Sequence, residues 1–422
     1  MGGEGTEGEM DFPKMYPIRQ EFETTSIPDV AAAVRAQMEA LALAQRVRPG
    51  QTVGVTAGSR GIRGYVTILS TLVRCLRELQ LVPCILPAMG SHGGATAEGQ
   101  VRMLAELGVT EASVGAPIVS NMDVISIGRL DSGAEIWIAA DALKVDHLVV
   151  CNRIKMHTAF HAEVESGLCK MLAVGCGKHA GALNMHKYGL AESIVPAAER
   201  LLKRAPVLFG LAILENALEE TLEVRAVLPD RFVATDREFL KRARQILPRL
   251  PFEDLDILIV DEMGKEISGA GMDPNVIGFW RRDGGPRKPD YRTLILLDLT
   301  AASEGNALGI GLADLTTRRV IEKINWDVTY ANVLTTGIWR STRIPMALKN
   351  DRAVLEAALS RVTYLPALRM IRIVNTLKLD RFWATENLLP ELRQMRSVSV
   401  EETALRLAFD KQLRLLPFTE SP

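Results

Sequence analysis

Between residues 51 and 150, short β-branched runs alternate with stretches that carry apolar residues at helical spacing. No other feature restricts the fold as much. Residues 51–56 (QTVGVT) read as a strand, 65–79 as a helix, 81–87 as a strand and 96–107 as a helix, with further strands expected at 123–127, 135–138 and 145–150. Strand and helix in alternation imply βαβ units and a largely parallel sheet. A helix at 191–204 follows the histidine-rich segment, and the polar, basic stretch 230–251, with Pro248 and Pro251, reads as a connection. Beyond it come strands at 256–260, 293–299 and 369–374. A chain of 422 residues exceeds what one ordinary core covers. The expected fold class is therefore α/β: two α/β domains with largely parallel sheets and an interdomain cleft, divided as 1–250 and 251–422.

Charge and composition exclude several classes of function. Fifty Lys and Arg against 51 Asp and Glu leave a net charge of −1. A nucleic-acid binder would show a basic excess, so no nucleic-acid partner is expected. Hydrophobic residues at 47% suit a folded chain, and no apolar run, 205–216 included, is long enough to span a bilayer. Five cysteines without a CxxC pair fit a reducing cytoplasm. The N-terminus, MGGEGTEGEMDF, lacks the basic and apolar regions of a signal peptide. Met1-Gly2 with Thr6 fits the myristoylation pattern, but no basic cluster supports it, and the stretch reads as a frayed tail.

Ligands of open α/β sheets bind beyond the carboxyl ends of the strands. Here those ends carry Ala57-Gly-Ser-Arg60-Gly61, Met89-Gly-Ser91-His92-Gly-Gly-Ala-Thr96, Asn152-Arg-Ile-Lys155-Met-His157 and Asp261-Glu-Met-Gly-Lys265. Glycines beside a cation or imidazole at four ends point to a shared site for an anionic ligand. Gly175-x-Gly177-x-x-Ala180 matches a dinucleotide fingerprint only formally, because a helical stretch stands where the acidic strand should follow. His157, His161, His179 and His186 are clustered in sequence. On a helix, His157 and His161 would share a face as zinc ligands do, although Thr158 stands where the glutamate of HExxH would be. His147 reads as a structural strand residue and His179 as a helix-surface one. Lys170 lies in an apolar setting, where it either snorkels to water or is desolvated and reactive.

The loop Gly90-Ser91-His92-x-x-x-Thr96, the run Asn152-Arg-Ile-Lys155-Met-His157, Ser166-Gly-Leu-Cys-Lys170, His186 and the stretch 263–273 (MGKEISGAGMD) occur in one order and spacing, with 305–311 following. In these the chain resembles the nickel-pincer-dependent lactate racemase family, which inverts 2-hydroxy acids. The resemblance implies a cofactor built from a nicotinic-acid-derived mononucleotide, with two sulfur substituents and a ring carbon bonded to nickel. By resemblance, Lys170 holds this nickel-pincer nucleotide as a thioamide, His186 is the nickel ligand, and Ser91 and Thr96 bind the cofactor. The implied reaction is inversion at C2 by proton-coupled hydride transfer, the partners being a small 2-hydroxy acid and cofactor-maturation proteins.

His92 and His157 are the expected acid–base pair, with His161 as substitute for the latter. Arg60 and Lys265 would clamp the substrate carboxylate, helped by Lys155. Where lactate-specific members carry an acidic residue, a proline and a basic residue, this chain has Ala57, Gly61 and Gly93. These changes favour a larger or differently charged acid, sugar acids included. Two alternatives stay open from the residues themselves. One is a metal hydrolase using His157, His161 and Glu163 or Glu165; the other is a noncatalytic binder of anionic small molecules.

Overall fold

The computed structural model describes residues 12–418, so the Met1–Gly2 pattern and the proposed frayed tail largely lie outside the described residues. The protein is a mixed α/β chain with largely parallel sheets, as the alternation implies. It divides into two compact units, one of which is Glu23–Leu247. The other joins the chain from Pro248 onward to the N-terminal strand. Among the described residues no helix is long and apolar enough to cross a membrane.

In the unit Glu23–Leu247 the central sheet runs in the order Val82–Pro87, Thr52–Ala57, His147–Arg153, Val207–Glu215, Thr221–Val227. The first four strands are parallel and the last is antiparallel. The inner strands are nearly continuous apolar runs because both faces are covered. Val149 and Cys151 point into one core with Val55, Ile85 and Phe209; Leu148 and Val150 point into the other with Ala212 and Leu214. Helix Tyr65–Glu78 fills the first core with Ile68, Leu69, Leu72 and Leu76, four positions on one helical stripe. The opposite core holds Leu168, Cys169 and Leu172, and residues of helix Leu190–Leu202.

Two local expectations fail here. Residues 230–251 are not a connection, because most of them form helix Phe232–Ile246, which buries Phe232, Phe239, Leu240 and Ala243 against that second core. His157 and His161 do not share a helix: from Ile154 to Gly167 the chain is irregular. The residues between Arg153 and Leu168 are organised by side-chain hydrogen bonds instead of by a backbone ladder.

In the other unit the sheet order is Met346–Leu348, Leu315–Thr317, Asp290–Leu299, Asp254–Met263, Met370–Ile373, Arg381–Thr385, Lys14–Gln20, Val398–Val400. The first five strands are parallel and the rest antiparallel. Lys14–Gln20, which the sequence pattern does not mark as a strand, pairs Met15 with Thr385 and Ile18 with Val400. Its Met15 and Ile18 are buried on opposite faces. A grouping of 1–250 therefore differs from the observed unit at its N-terminal end, where strand pairing across the whole sequence decides membership.

Candidate functional site

The strand Thr52–Ala57 delivers its loop to the same sheet end as His147–Arg153. The Gly58 N–H donates to the Tyr65 hydroxyl at 2.7 Å, which holds the turn before Arg60. A Cβ on Gly58 would lie 3.2 Å from Met171 Cε, so this turn runs close against the segment that carries Lys170. At the neighbouring strand end, Asn152 Nδ2 donates to the Gly167 carbonyl at 2.8 Å.

Residues 154–167 are tied to one buried carboxylate. Glu165, with no exposed surface, accepts from the His157 N–H at 2.7 Å, the Ala162 N–H at 3.2 Å and Arg244 Nη2 at 2.6 Å. It also meets His161 Nδ1 at 3.2 Å. These bonds outweigh its desolvation and hold its pKa below the ordinary carboxylate value. Ser166 Oγ accepts from the Lys155 N–H and donates to the Lys155 carbonyl, closing the base of the loop. His157 is half-buried and its ring lies 4.6 Å from that of Phe160.

At Gly167 the chain adopts φ +99°, and a Cβ would stand 2.3 Å from Asp236 Oδ1, so glycine is needed twice over. Asp236, fully buried on helix Phe232–Ile246, then accepts the N–H groups of Leu168 at 2.9 Å and Cys169 at 2.8 Å. Burial, the larger effect, raises its pKa to about 7 despite those two donors. This cap starts the helical turn Leu168–Lys170, which passes through one π turn, Met171–Gly175, into helix Lys178–Lys187.

That path brings Lys170 and His186 into each other's field. Burial, then the positive charge of Arg60, pushes the Lys170 ammonium down to about 7, with Glu165 opposing. His186 is lowered by burial and then by Lys170. Lys170 Nζ lies 5.4 Å from the centroid of the Phe160 ring. Arg60, Lys170 and His186, together with the loop of His157, thus form one electrostatic neighbourhood. Its imidazole and amine are both biased toward their neutral, electron-donating forms.

The loop bearing Ser91, His92 and Thr96 packs on the same helical segment. The Gly90 N–H donates to the Gly175 carbonyl at 3.2 Å, and a Cβ on Gly175 would reach Ala88 O at 2.6 Å. Gly175 and Gly177 therefore serve close packing between segments. Gln100 Nε2 donates to the Gly90 carbonyl at 2.9 Å and receives support from Lys178, whose Nζ donates to Gln100 Oε1 at 3.0 Å. His92 itself is exposed, and Ser91 is half-buried beside it. The Thr96 hydroxyl accepts from the Gly99 N–H at 3.0 Å as the cap of helix Ala97–Glu106. His147 meets Gln51 Oε1 at 3.0 Å, and His179 is exposed on its helix, both as expected. Lys155 is exposed.

Lys265 belongs to the other unit, just beyond strand Asp254–Met263, where its Nζ donates to the Gly269 carbonyl at 2.7 Å. Among the described residues no group of three or more His, Cys, Asp or Glu side chains is arranged to hold a metal ion. A hydrolase built on His157, His161 and Glu163 or Glu165 finds neither carboxylate available, since Glu165 is committed to Arg244 and to backbone N–H groups and Glu163 pairs with Arg237. The sequence reading omits Asp236, Arg244, Gln100, Lys178, Tyr65 and Phe160, which act by holding other groups and carry no motif of their own.

No family model matches the chain, and no curated protein matches it. Among solved structures it is similar to the lactate racemase apoprotein from Thermoanaerobacterium thermosaccharolyticum, with 14% identity over 85% of this chain and 94% of that one. The TM-score is 0.54, a likeness of fold.

Proposed function

We propose that the protein is an isomerase that inverts the C2 centre of a 2-hydroxy acid with a nickel-pincer nucleotide attached at Lys170. The observation that carries this reading is that Lys170 and His186 are both desolvated and that the charge of Lys170 reaches His186. The donor set fits such a cofactor. A neutral amine is the form that makes a thioamide, and a neutral imidazole is the form that binds a metal. One protein imidazole is enough where the cofactor provides its own sulfur and carbon donors, and planar Ni(II) suits that set. When bound, the nucleotide supplies a two-electron acceptor and donor for the substrate's α-hydrogen.

The chain's own residues do the rest. Arg60 holds the substrate carboxylate through its planar fork. His157, steadied by Phe160 and by the Glu165 bond to its backbone, takes or returns the hydroxyl proton for one enantiomer, and His92 does so for the other. Phe160 shields the amine and the reacting centre from water. Ser91 contributes to cofactor binding. Thr96 fixes the start of the helix behind that loop. Five free cysteines suit a reducing cytoplasm, where maturation proteins would load the cofactor.

Purified protein co-produced with such maturation proteins should contain nickel, absorb visible light and carry added mass on the Lys170 peptide. It should also invert at least one member of a panel of chiral 2-hydroxy acids, read by optical rotation. Lys170→Ala should lose the adduct. An adduct retained in Lys170→Ala, or wild-type protein bearing nickel but no modified lysine, overturns the assignment.

A further inference from the structure

Within the unit containing Pro248 onward, one cation is buried without an acceptor. The short helix Trp280–Asp283 carries two adjacent arginines with different surroundings. Arg281 is engaged: its Nη1 donates to the Leu312 carbonyl and to Asp314, each at 2.9 Å, and its Nη2 donates to the Tyr291 carbonyl. Arg282 is only 2% exposed, yet its Nε and Nη1 have no hydrogen-bond partner. Asp283 and Asp273 attract its charge without bonding it, and burial outweighs them, lowering its pKa to about 10. At neutral pH the guanidinium stays charged. A buried ion without hydrogen bonds is far more costly than an apolar side chain in the same place.

The surroundings favour an anion. Residues 281–288 (RRDGGPRK) hold four cations against one carboxylate. Of the four, Arg281 pairs with Asp314 and Lys288 with Glu253, leaving Arg282 and Arg287. Two of those cations, Arg281 and Arg287, lie 4.7 and 4.6 Å from the Trp280 ring, so that indole gathers positive charge beside Arg282. Gly284 and Gly285, both at positive φ, would meet nothing within 4 Å of an added Cβ, so open space adjoins the helix end. We propose that Arg282 is the floor of a second anion site, one that takes a small oxyanion on its unpartnered N–H groups. The oxyanion is either the carboxylate of an organic acid or inorganic phosphate. Arg282 belongs to a different unit from Lys170, and the proposal does not depend on the reaction proposed there.

The experiment uses the full chain without cofactor. Thermal unfolding is followed while sodium lactate or sodium phosphate replaces sodium chloride at constant ionic strength, with wild-type Arg282 and with Arg282→Met, both carrying Arg60→Ala so that the carboxylate site proposed above is silent. At least one oxyanion should raise the wild-type midpoint along a saturating curve, and the saturable part should vanish in Arg282→Met. A response to lactate alone identifies a carboxylate site and a response to phosphate alone a phosphate site; both support the proposal. Arg282→Met should unfold no lower than wild type when no oxyanion is present, because it removes an uncompensated ion. A wild-type midpoint that rises with neither salt, or a saturable rise that survives in Arg282→Met, overturns the proposal. Should Arg282→Met fail to fold, calorimetric titration of wild type and Arg282→Lys on the same Arg60→Ala background decides. Saturable heat in wild type with affinity lowered roughly tenfold or more in the lysine variant supports the site, since an ammonium lacks the fork. Equal affinity, or no saturable heat, refutes it.

Discussion

An ammonium group gives up its proton early when water is removed from it and another cation stands nearby, and Lys170 meets both conditions. Its pKa of about 7 leaves half the amine free near neutrality, whereas an ordinary lysine does this near 10.5. In cofactor-free protein, a limiting dose of acetic anhydride should therefore acetylate Lys170 with a rate that levels off above pH 8. Surface lysines should still be accelerating there. Peptide mass spectrometry over pH 6–10 reads this directly, and a Lys170 profile parallel to the surface lysines would show that the amine is not perturbed. Sequence alone leaves Lys170 open between a snorkelling and a desolvated lysine. The deciding neighbour, Arg60, lies in a different loop and is brought in by the pairing of strands Thr52–Ala57 and His147–Arg153.

At the scale of elements, helix Phe232–Ile246 braces the Lys170 segment at three points. Asp236 caps Leu168 and Cys169, Arg244 bonds Glu165 and the Ala162 carbonyl, and Arg237 pairs with Glu163. Asp236→Ala leaves two buried N–H groups without an acceptor and should cost about 3 kcal/mol by urea unfolding. Asp236→Asn keeps one acceptor and should cost less. The pH response has a definite sign. The native pKa of Asp236, about 7, exceeds the ordinary 3.8, so its proton-linked stabilisation is complete below pH 4 and is lost as pH rises through 7. Relative to wild type, Asp236→Asn should therefore be more stable at pH 8 than at pH 5; a pH-independent difference would mean the carboxyl is not shifted.

Elements were legible where one physical signal dominated. The strands Thr52–Ala57, Val82–Pro87 and Asp254–Met263 stand out by their short buried apolar stretches, residues 53–55, 85–86 and 257–260. The helix Phe232–Ile246 escaped because its four buried apolar residues are outnumbered by charged ones, and proline follows. His157 and His161 suggested a helical face by spacing alone. The hydrogen bonds of Glu165 hold that segment in an irregular path that no periodicity encodes.

For the whole molecule, the largest departure from the sequence reading is the strand Lys14–Gln20. Its partners Arg381–Thr385 and Val398–Val400 lie at the far end of the chain, and no local pattern announces such a pairing. A fragment from Pro248 onward should therefore lack a strand at the centre of its antiparallel half and should fail to unfold cooperatively. Supplying residues 12–22 as a peptide, or fusing them to its C-terminus through a flexible linker, should restore a sharp transition by circular dichroism. Cooperative unfolding of the bare fragment would show the strand to be dispensable.

That arrangement also sets a timetable for biogenesis. Strand Lys14–Gln20 leaves the ribosome well before its partners Arg381–Thr385 and Val398–Val400, so it stays unpaired until they follow. The intervening unit, Glu23–Leu247, has all its strands in hand much sooner and can fold first. Until those partners emerge, the nascent chain carries an unmatched ribbon with Met15 and Ile18 uncovered, a sticky segment that chaperones or rapid elongation must protect.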